Sequence, residues 1–297
     1  DPRRQNLAKS DNNMTTSSES DSRPQRVDVY GVDHSPWVQA VLLGLHEAKI
    51  PHQLTTLPPA KTFWQTGVLM PAASIDDGPW QVESTDILCD LGFNSISDEE
   101  TRWLSDAWRG VFHRTDHPLL FWGGFSLAGD RHPKRAKRLR RNMLRSFITW
   151  YFFVLIRFRV WKVGFSDPDN FGDQFLPFEQ KLKELGQPFL SGSAPSSLDF
   201  LLFGVIQCHS SVYVPTLTAL QNDSRLTMLR GWIGRMHERM ADYSRLYSGP
   251  YFAPYAPPPT PVSGLDQAAF WLGSALLLGL FPITLGLIVF GAVRARI

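Results

Sequence analysis

The chain has 297 residues, 43% of them hydrophobic and 20% charged, with a formal net charge of +2. That length suits two modest domains, or one domain with appendages, and the near-neutral balance leaves no global field to attract nucleic acid, so no nucleic-acid partner is expected. Only two cysteines occur, Cys89 and Cys208, with no C-x-x-C between them. This excludes a cysteine-based zinc site or a disulfide-stapled scaffold, suits a reducing compartment, and makes both residues small buried hydrophobes by expectation.

Residues 1–26 are rich in Ser, Thr, Asn, Asp and Arg. They bury too little apolar surface to offset ordering entropy, so a disordered tail is expected. No apolar run of a secretory signal is present, and Met14 is a candidate start. Arg26 to Gly31 alternates apolar and polar residues and reads as a short strand. Ser35-Pro36 then opens a helix with Ser as N-cap and Pro in the first turn; Val38, Val41, Leu42, Leu45 and Ala48 mark its buried face. His52 to Leu57 reads as a second strand, ended by Pro58-Pro59, and a loop with Lys61, Phe63 and Trp64 follows.

Met70 to Ile87 has the richest local chemistry. It predicts a proline-initiated strand, an Asp-Asp-Gly-Pro turn, a second short strand, and a helix opened by Glu83-Ser84. Asp77-Gly78 is expected to supply the turn, Gly through positive φ and Asp through a bond to its own backbone. Free N–H groups and the helix dipole after Glu83-Ser84 would favour an anionic group.

After a polar joint at Ser95 to Glu100 the pattern turns helical. Helices are expected from Glu100 to His113, Pro133 to Val163, Asp173 to Leu185 (closed by Gly186) and about Ser224 to Tyr243. Ser196 and Asp199 form an S-x-x-D capping box before the apolar run FLLFGVIQC. Residues 248–265 are proline-rich and predict an extended spacer. Gln267 to Val293 carries no charge over more than the roughly 20 residues that cross a bilayer, so a single C-terminal transmembrane helix is expected over residues 266–294. Within it Ala275 and Gly279 form a small-xxx-small pair, and Pro282 is tolerable in such a helix.

The β–α–β start with Ser35-Pro36, then Met70-Pro71 before a hairpin, then Glu83-Ser84, and finally FLSGSAPSSLDFLLF, is similar to the cytosolic glutathione transferase family over about Val27 to Tyr247. The resemblance implies an α/β thioredoxin-like, glutathione-binding domain at 27–94 and an all-α domain at 98–247. It also implies glutathione as co-substrate, a hydrophobic small-molecule substrate and, since family members are commonly dimers, a homodimer. Pro71 matches the family's cis-proline, Met70 the residue whose backbone pairs with the glutathione cysteine, and Glu83 and Ser84 the residues that hold the γ-glutamyl end. Ser35 matches the catalytic hydroxyl that faces the sulfur. A free thiol with a pKa of about 8.5 is mostly protonated at neutral pH, and a hydroxyl donor at a helix N-terminus would favour its nucleophilic anion.

Ser35 has a plainer reading as an N-cap, worth about 1 kcal/mol, and Tyr30 is the competing hydroxyl. Ala72-Ala73 stands where the family carries bulkier residues, which implies loose packing, and Lys61 is the one candidate grip for the glycine carboxylate. His113 and His117 are four apart on a helix, but with no third ligand in view no metal is expected. The basic run from Arg131 to Arg145, followed by aromatic residues, reads as a solvated face or as a contact to membrane lipid. The expectation is a tail-anchored glutathione transferase with its globular part in the cytosol. The alternatives are a non-catalytic adaptor of the same fold and a lipid-interacting protein at a membrane surface.

Overall fold

The computed structural model describes residues 24–32, 35–55, 60, 69–109, 118–127, 129, 133–163, 168–211, 215–244, 246 and 261–295. Strands β1 (Val27–Tyr30), β2 (His52–Thr55), β3 (Ala72–Ile75) and β4 (Gln81–Val82) form one sheet in the order β2-β1-β3-β4. β1 pairs parallel with β2 and antiparallel with β3, and β3 pairs antiparallel with β4. The parallel pair needs a crossover, which helix α1 (Pro36–Glu47) supplies.

Helix α1 is more buried than its apolar stripe predicts. Beside Val38, Val41, Leu42 and Leu45, the residues Gln39, Ala40, Leu43 and Gly44 are buried too, while Ala48 lies past the last turn. The cause is a second partner, α7 (Ser197–Ser211), whose Phe200 and Phe203 join Val27, Val29 and Leu42 in one core. Phe200 and Phe203 are fully buried, and burying one such ring stabilises by roughly 2–3 kcal/mol.

The turn after β3 differs from expectation. The residues with positive φ are Asp76 (48°) and Asp77 (58°), and Gly78 donates its N–H to the Ile75 carbonyl at 2.8 Å. Two left-handed central residues make a type I′ turn, a conformation Asp tolerates. The Asp76 carboxylate accepts the Gln25 and Arg26 N–H groups at 2.9 Å each, so it ties the turn to the start of β1.

The remaining helices are α2 (Ser84–Asp90), α3 (Asp98–Arg109), α4 (Pro118–Leu127), α5 (Arg135–Val163), α6 (Leu176–Leu185), α8 (Pro215–Asn222), α9 (Thr227–Arg239), α10 (Gly264–Gly279) and α11 (Phe281–Ala295). α4 and α8 fall outside the sequence expectations, one apolar all round with a Gly pair and the other only two turns long. Ser97 and Glu100 close a reciprocal capping box on α3, at 3.1 and 2.7 Å. Gly186, in the left-handed conformation, ends α6. Glu179 of α6, 2% exposed, accepts the Met228 and Leu229 N–H groups at the start of α9.

The expected capping box on α7 is half formed. Asp199 accepts the Ser196 N–H at 3.2 Å, but the Ser196 hydroxyl accepts the Asn94 N–H at 2.9 Å instead. Asp199 also accepts the N–H groups of Leu190 (2.8 Å) and Ser191 (3.1 Å) and the Trp232 indole N–H (2.8 Å). Burial pushes this carboxyl above the usual range, and its N–H donors work against that push. The motif is therefore a hub that joins the interdomain segment, a loop, α7 and α9.

The single C-terminal transmembrane helix is not what the structure contains. Among the described residues no single helix is long and apolar enough to cross a membrane. The stretch is two helices, α10 and α11, divided at Leu280, because Pro282 lacks an N–H and its ring blocks continuation of the preceding turn. α10 begins at Gly264, inside the expected spacer, where Ser263 accepts the Asp266 N–H. It packs along α5. Asp266, 3% exposed, accepts from Arg138 Nε at 2.9 Å and from Asn142 at 3.2 Å. Gly273 faces Ser146 and Met143 so closely that a Cβ would meet the Met143 carbonyl at 2.6 Å. Ala275 and Gly279, the anticipated small pair, lie on the exposed side.

Candidate functional site

The strand registers bring the flagged residues to one end of the sheet. Tyr30, the last residue of β1, pairs with Ala72, the first of β3, and Ala72 pairs with Val82, the last of β4. Hence the exit of β1 toward Ser35, the entry to β3 through Met70-Pro71, and the exit of β4 into Glu83-Ser84 open on the same edge. Thr55, the last residue of β2, is beside Tyr30 at that edge as well. Strand ends that converge in this way are a common place for a small-molecule site.

Ser35 occupies the N-cap position of α1 in extended conformation, yet its side chain makes no capping bond. It is 1% exposed, and its Oγ has no hydrogen-bond partner among the described residues. A buried hydroxyl without a partner is uncommon, which sets Ser35 apart from an ordinary cap. α1 spans three turns, so its N-terminal dipole is aimed at the same place. Tyr30, the competing hydroxyl, is buried at 3% and belongs to the strand packing.

The Met70–Pro71 peptide bond is cis. Met70 lies against the β1–α1 connection: a Cβ placed on Gly31 would stand 3.4 Å from Met70 Cβ and would collide with Val38. Ala72 and Ala73 are fully buried between β1 and β4. Glu83 is exposed and adopts φ 77°, ψ 107°, a backbone that costs a residue with a Cβ on the order of 1–3 kcal/mol. Ser84, 8% exposed, begins α2. α2 has only seven residues and carries Asp86 in its first turn, so the anticipated dipole there is weak.

The sequence reading missed an aromatic pair next to Ser35. Trp37 of α1 and Trp108 of α3 meet edge to face with ring centroids 5.6 Å apart, where the helical half abuts the sheet half. Trp37 stands two residues after Ser35, which was the available signal; its partner 71 positions on was not locatable by spacing. Neither cysteine is poised as a thiolate. Burial pushes the Cys208 thiol up to about 12 against the opposing pull of its hydrogen bond with Trp108, and burial together with Asp86 and Asp90 raises Cys89. Lys61, His113 and His117 lie outside the described residues, and among the described residues no group of His, Cys, Asp or Glu could hold a metal.

No family model and no curated protein matches the chain. Solved structures similar to it are glutathione transferases of several classes. The theta-class enzyme of Xanthomonas axonopodis pv. citri, with glutathione bound, has 18% identity, a TM-score of 0.43, and coverage of 75% of this chain and 97% of its own. A Bombyx mori glutathione transferase has 12% identity and a TM-score of 0.42, over 86% of this chain and 100% of its own. The tau-class enzyme of mango, Mangifera indica, has 17% identity and a TM-score of 0.39, over 75% and 98%. Each likeness has a TM-score below 0.5, so the reading of the site stands on its own loops and side chains.

Proposed function

We propose that the chain binds glutathione at the sheet edge bounded by Ser35, Met70-Pro71 and Glu83-Ser84, and conjugates its thiol to lipophilic electrophiles. The observation that carries this reading is the Ser35 hydroxyl, buried without a partner where these three loops converge. Donated to a bound sulfur at the N-terminus of α1, that hydroxyl lowers the thiol pKa by stabilising the anion. The thiol proton passes to solvent, the thiolate forms a C–S bond to the electrophilic carbon, and the displaced group leaves with the electron pair of the broken bond. In this reading Glu83 and Ser84 hold the amino-acid end of the tripeptide, and the Met70 backbone pairs with its cysteine. Trp37 and Trp108 offer an apolar wall for the second substrate.

A second reading, binding without turnover, is favoured by the burial of Ser35: at 1% exposure the hydroxyl reaches a ligand only if neighbouring segments move aside. Retention of the full chain on immobilised glutathione, followed by conjugation of a chloronitroaromatic electrophile, separates the two. Retention with turnover supports the enzyme, and retention without turnover supports the binder. Neither retention nor turnover would sink both.

A further inference from the structure

The C-terminal helices pose a different question. α5 and α10 run in the same direction, since Asp266 meets Arg138 and Asn142, Gly273 meets Ser146, and Phe281 stacks edge-on to Trp150. Both helices therefore start at one end, where Arg135, Lys137 and Arg140 are exposed. Beyond that end the outer side is apolar: Leu272 is 54% exposed, Leu276 50%, Leu278 60% and Ile283 64%.

That outer side offers almost nothing polar. The Ser274 hydroxyl bonds back to the Phe270 carbonyl, the Thr284 hydroxyl bonds to Leu280 and Phe281, and Asp266 is occupied by Arg138, Asn142 and Ser263. Protein interfaces carry about one hydrogen bond per 100–200 Å², which this surface cannot supply, whereas hydrocarbon asks for none. The helices have 16 and 15 residues, short of the roughly 20 needed to cross a bilayer.

We infer that α10 and α11, clamped to α5 by the Arg138–Asp266 pair, insert into one leaflet of an anionic bilayer, with Arg135, Lys137 and Arg140 at the phosphate level. This attachment enters one leaflet without crossing the bilayer and does not depend on glutathione binding. The pair works as a latch: it neutralises the one acidic side chain of α10 and fixes the apolar side relative to the cations.

Flotation of the full chain with sealed vesicles tests the inference. Vesicles of phosphatidylcholine with phosphatidylserine should bind the chain more strongly than phosphatidylcholine alone, and salt should weaken the difference. Replacing Arg135, Lys137 and Arg140 together by Gln should weaken partition into anionic vesicles on the order of a hundredfold. Leu272→Glu with Leu276→Glu should abolish flotation on either vesicle, while Leu185→Glu, an exposed leucine of α6, should change nothing. A tag placed after Ile297 should stay open to external protease. Flotation of the double Glu variant at the wild-type level would overturn the inference, as would equal binding to both vesicles, or a protected tag. So would conversion of a dimer to a monomer by that variant without any vesicle binding by the wild type, since the occupant would then be a second copy.

Discussion

Gly204 of α7 lies directly against the carbonyl oxygen of Pro36, the first residue of α1, and a Cβ at this position would collide with that oxygen. The two helices are in close backbone contact at the first turn of α1, one residue after Ser35. Gly204→Ala therefore has to push α1 away, with a loss of about 1–3 kcal/mol as for other overpacked sites. Displacement of Ser35 should weaken glutathione retention alongside. Urea unfolding and a glutathione titration check both, and an Ala variant with unchanged stability would contradict the close crossing.

Ser35→Ala should separate a cap from a catalytic hydroxyl. Because the side chain makes no capping bond, the stability change should fall below the roughly 1 kcal/mol of a working N-cap. Conjugation should drop on the order of a hundredfold, as when one donor to a developing anion is removed, and the pKa of the bound thiol should rise. The ultraviolet absorbance of enzyme-bound thiolate against pH reads that pKa. A large stability loss with unchanged turnover would return Ser35 to the role of a plain cap.

Glu83 combines a strained backbone with an exposed carboxylate. Glu83→Gly relieves the strain and Glu83→Ala keeps it, so the Gly variant should be the more stable by about 1 kcal/mol. Both variants should elute from immobilised glutathione earlier than wild type. If both are retained as before, the carboxylate does not hold the ligand.

Asp199→Ala would strip the acceptor from three backbone N–H groups and the Trp232 indole, all within the hub between α7 and α9. A loss of about 3 kcal/mol or more is expected from unpaired buried donors. Asp199→Asn, which keeps one acceptor oxygen, should cost less. Equal urea midpoints for the two variants would argue against the hub.

His209 of α7 donates Nε2–H to the Ala107 carbonyl at 2.9 Å, since a carbonyl can only accept. Burial holds its pKa down to about 4, against 6.5 ordinarily, while the Ala107 bond pulls the other way. The unfolded chain therefore binds this proton first as pH falls. Its contribution is whole above about pH 6.5 and drains away between about 6.5 and 4. His237, lowered to about 4 by burial, acts in the same direction. His209→Gln, which keeps a donor for Ala107, should lose less stability than wild type over that window. Urea midpoints measured at several pH values give the comparison, and parallel slopes would rule the effect out.

Much of the site was legible because its signals are local. Pro36 in the first turn, the Met70-Pro71 strand entry and the Glu83-Ser84 helix start each depend on a few adjacent residues, and all appear near their expected positions. The turn at Asp76-Asp77 was misassigned because Asp as well as Gly enters the left-handed region, and only the neighbouring strand shows which residue is needed. Trp37 was visible as a residue but not as half of a pair, since Trp108 comes from another helix.

By itself, the sequence determined the order of the strands and of most helices, the loops that meet at the sheet edge, and the apolar character of the C-terminal stretch. Those follow from periodicity, from Gly and Pro punctuation and from hydropathy, which act within a turn or two of chain. Tertiary structure decided who answers whom: the Ser196 hydroxyl serves Asn94, Asp199 serves Trp232, and Asp266 is claimed by Arg138 across 128 positions. Hydropathy measures how strongly a segment avoids water but not which surface receives it. That is why an apolar tail of membrane-spanning length became two short helices, one of them packed along α5.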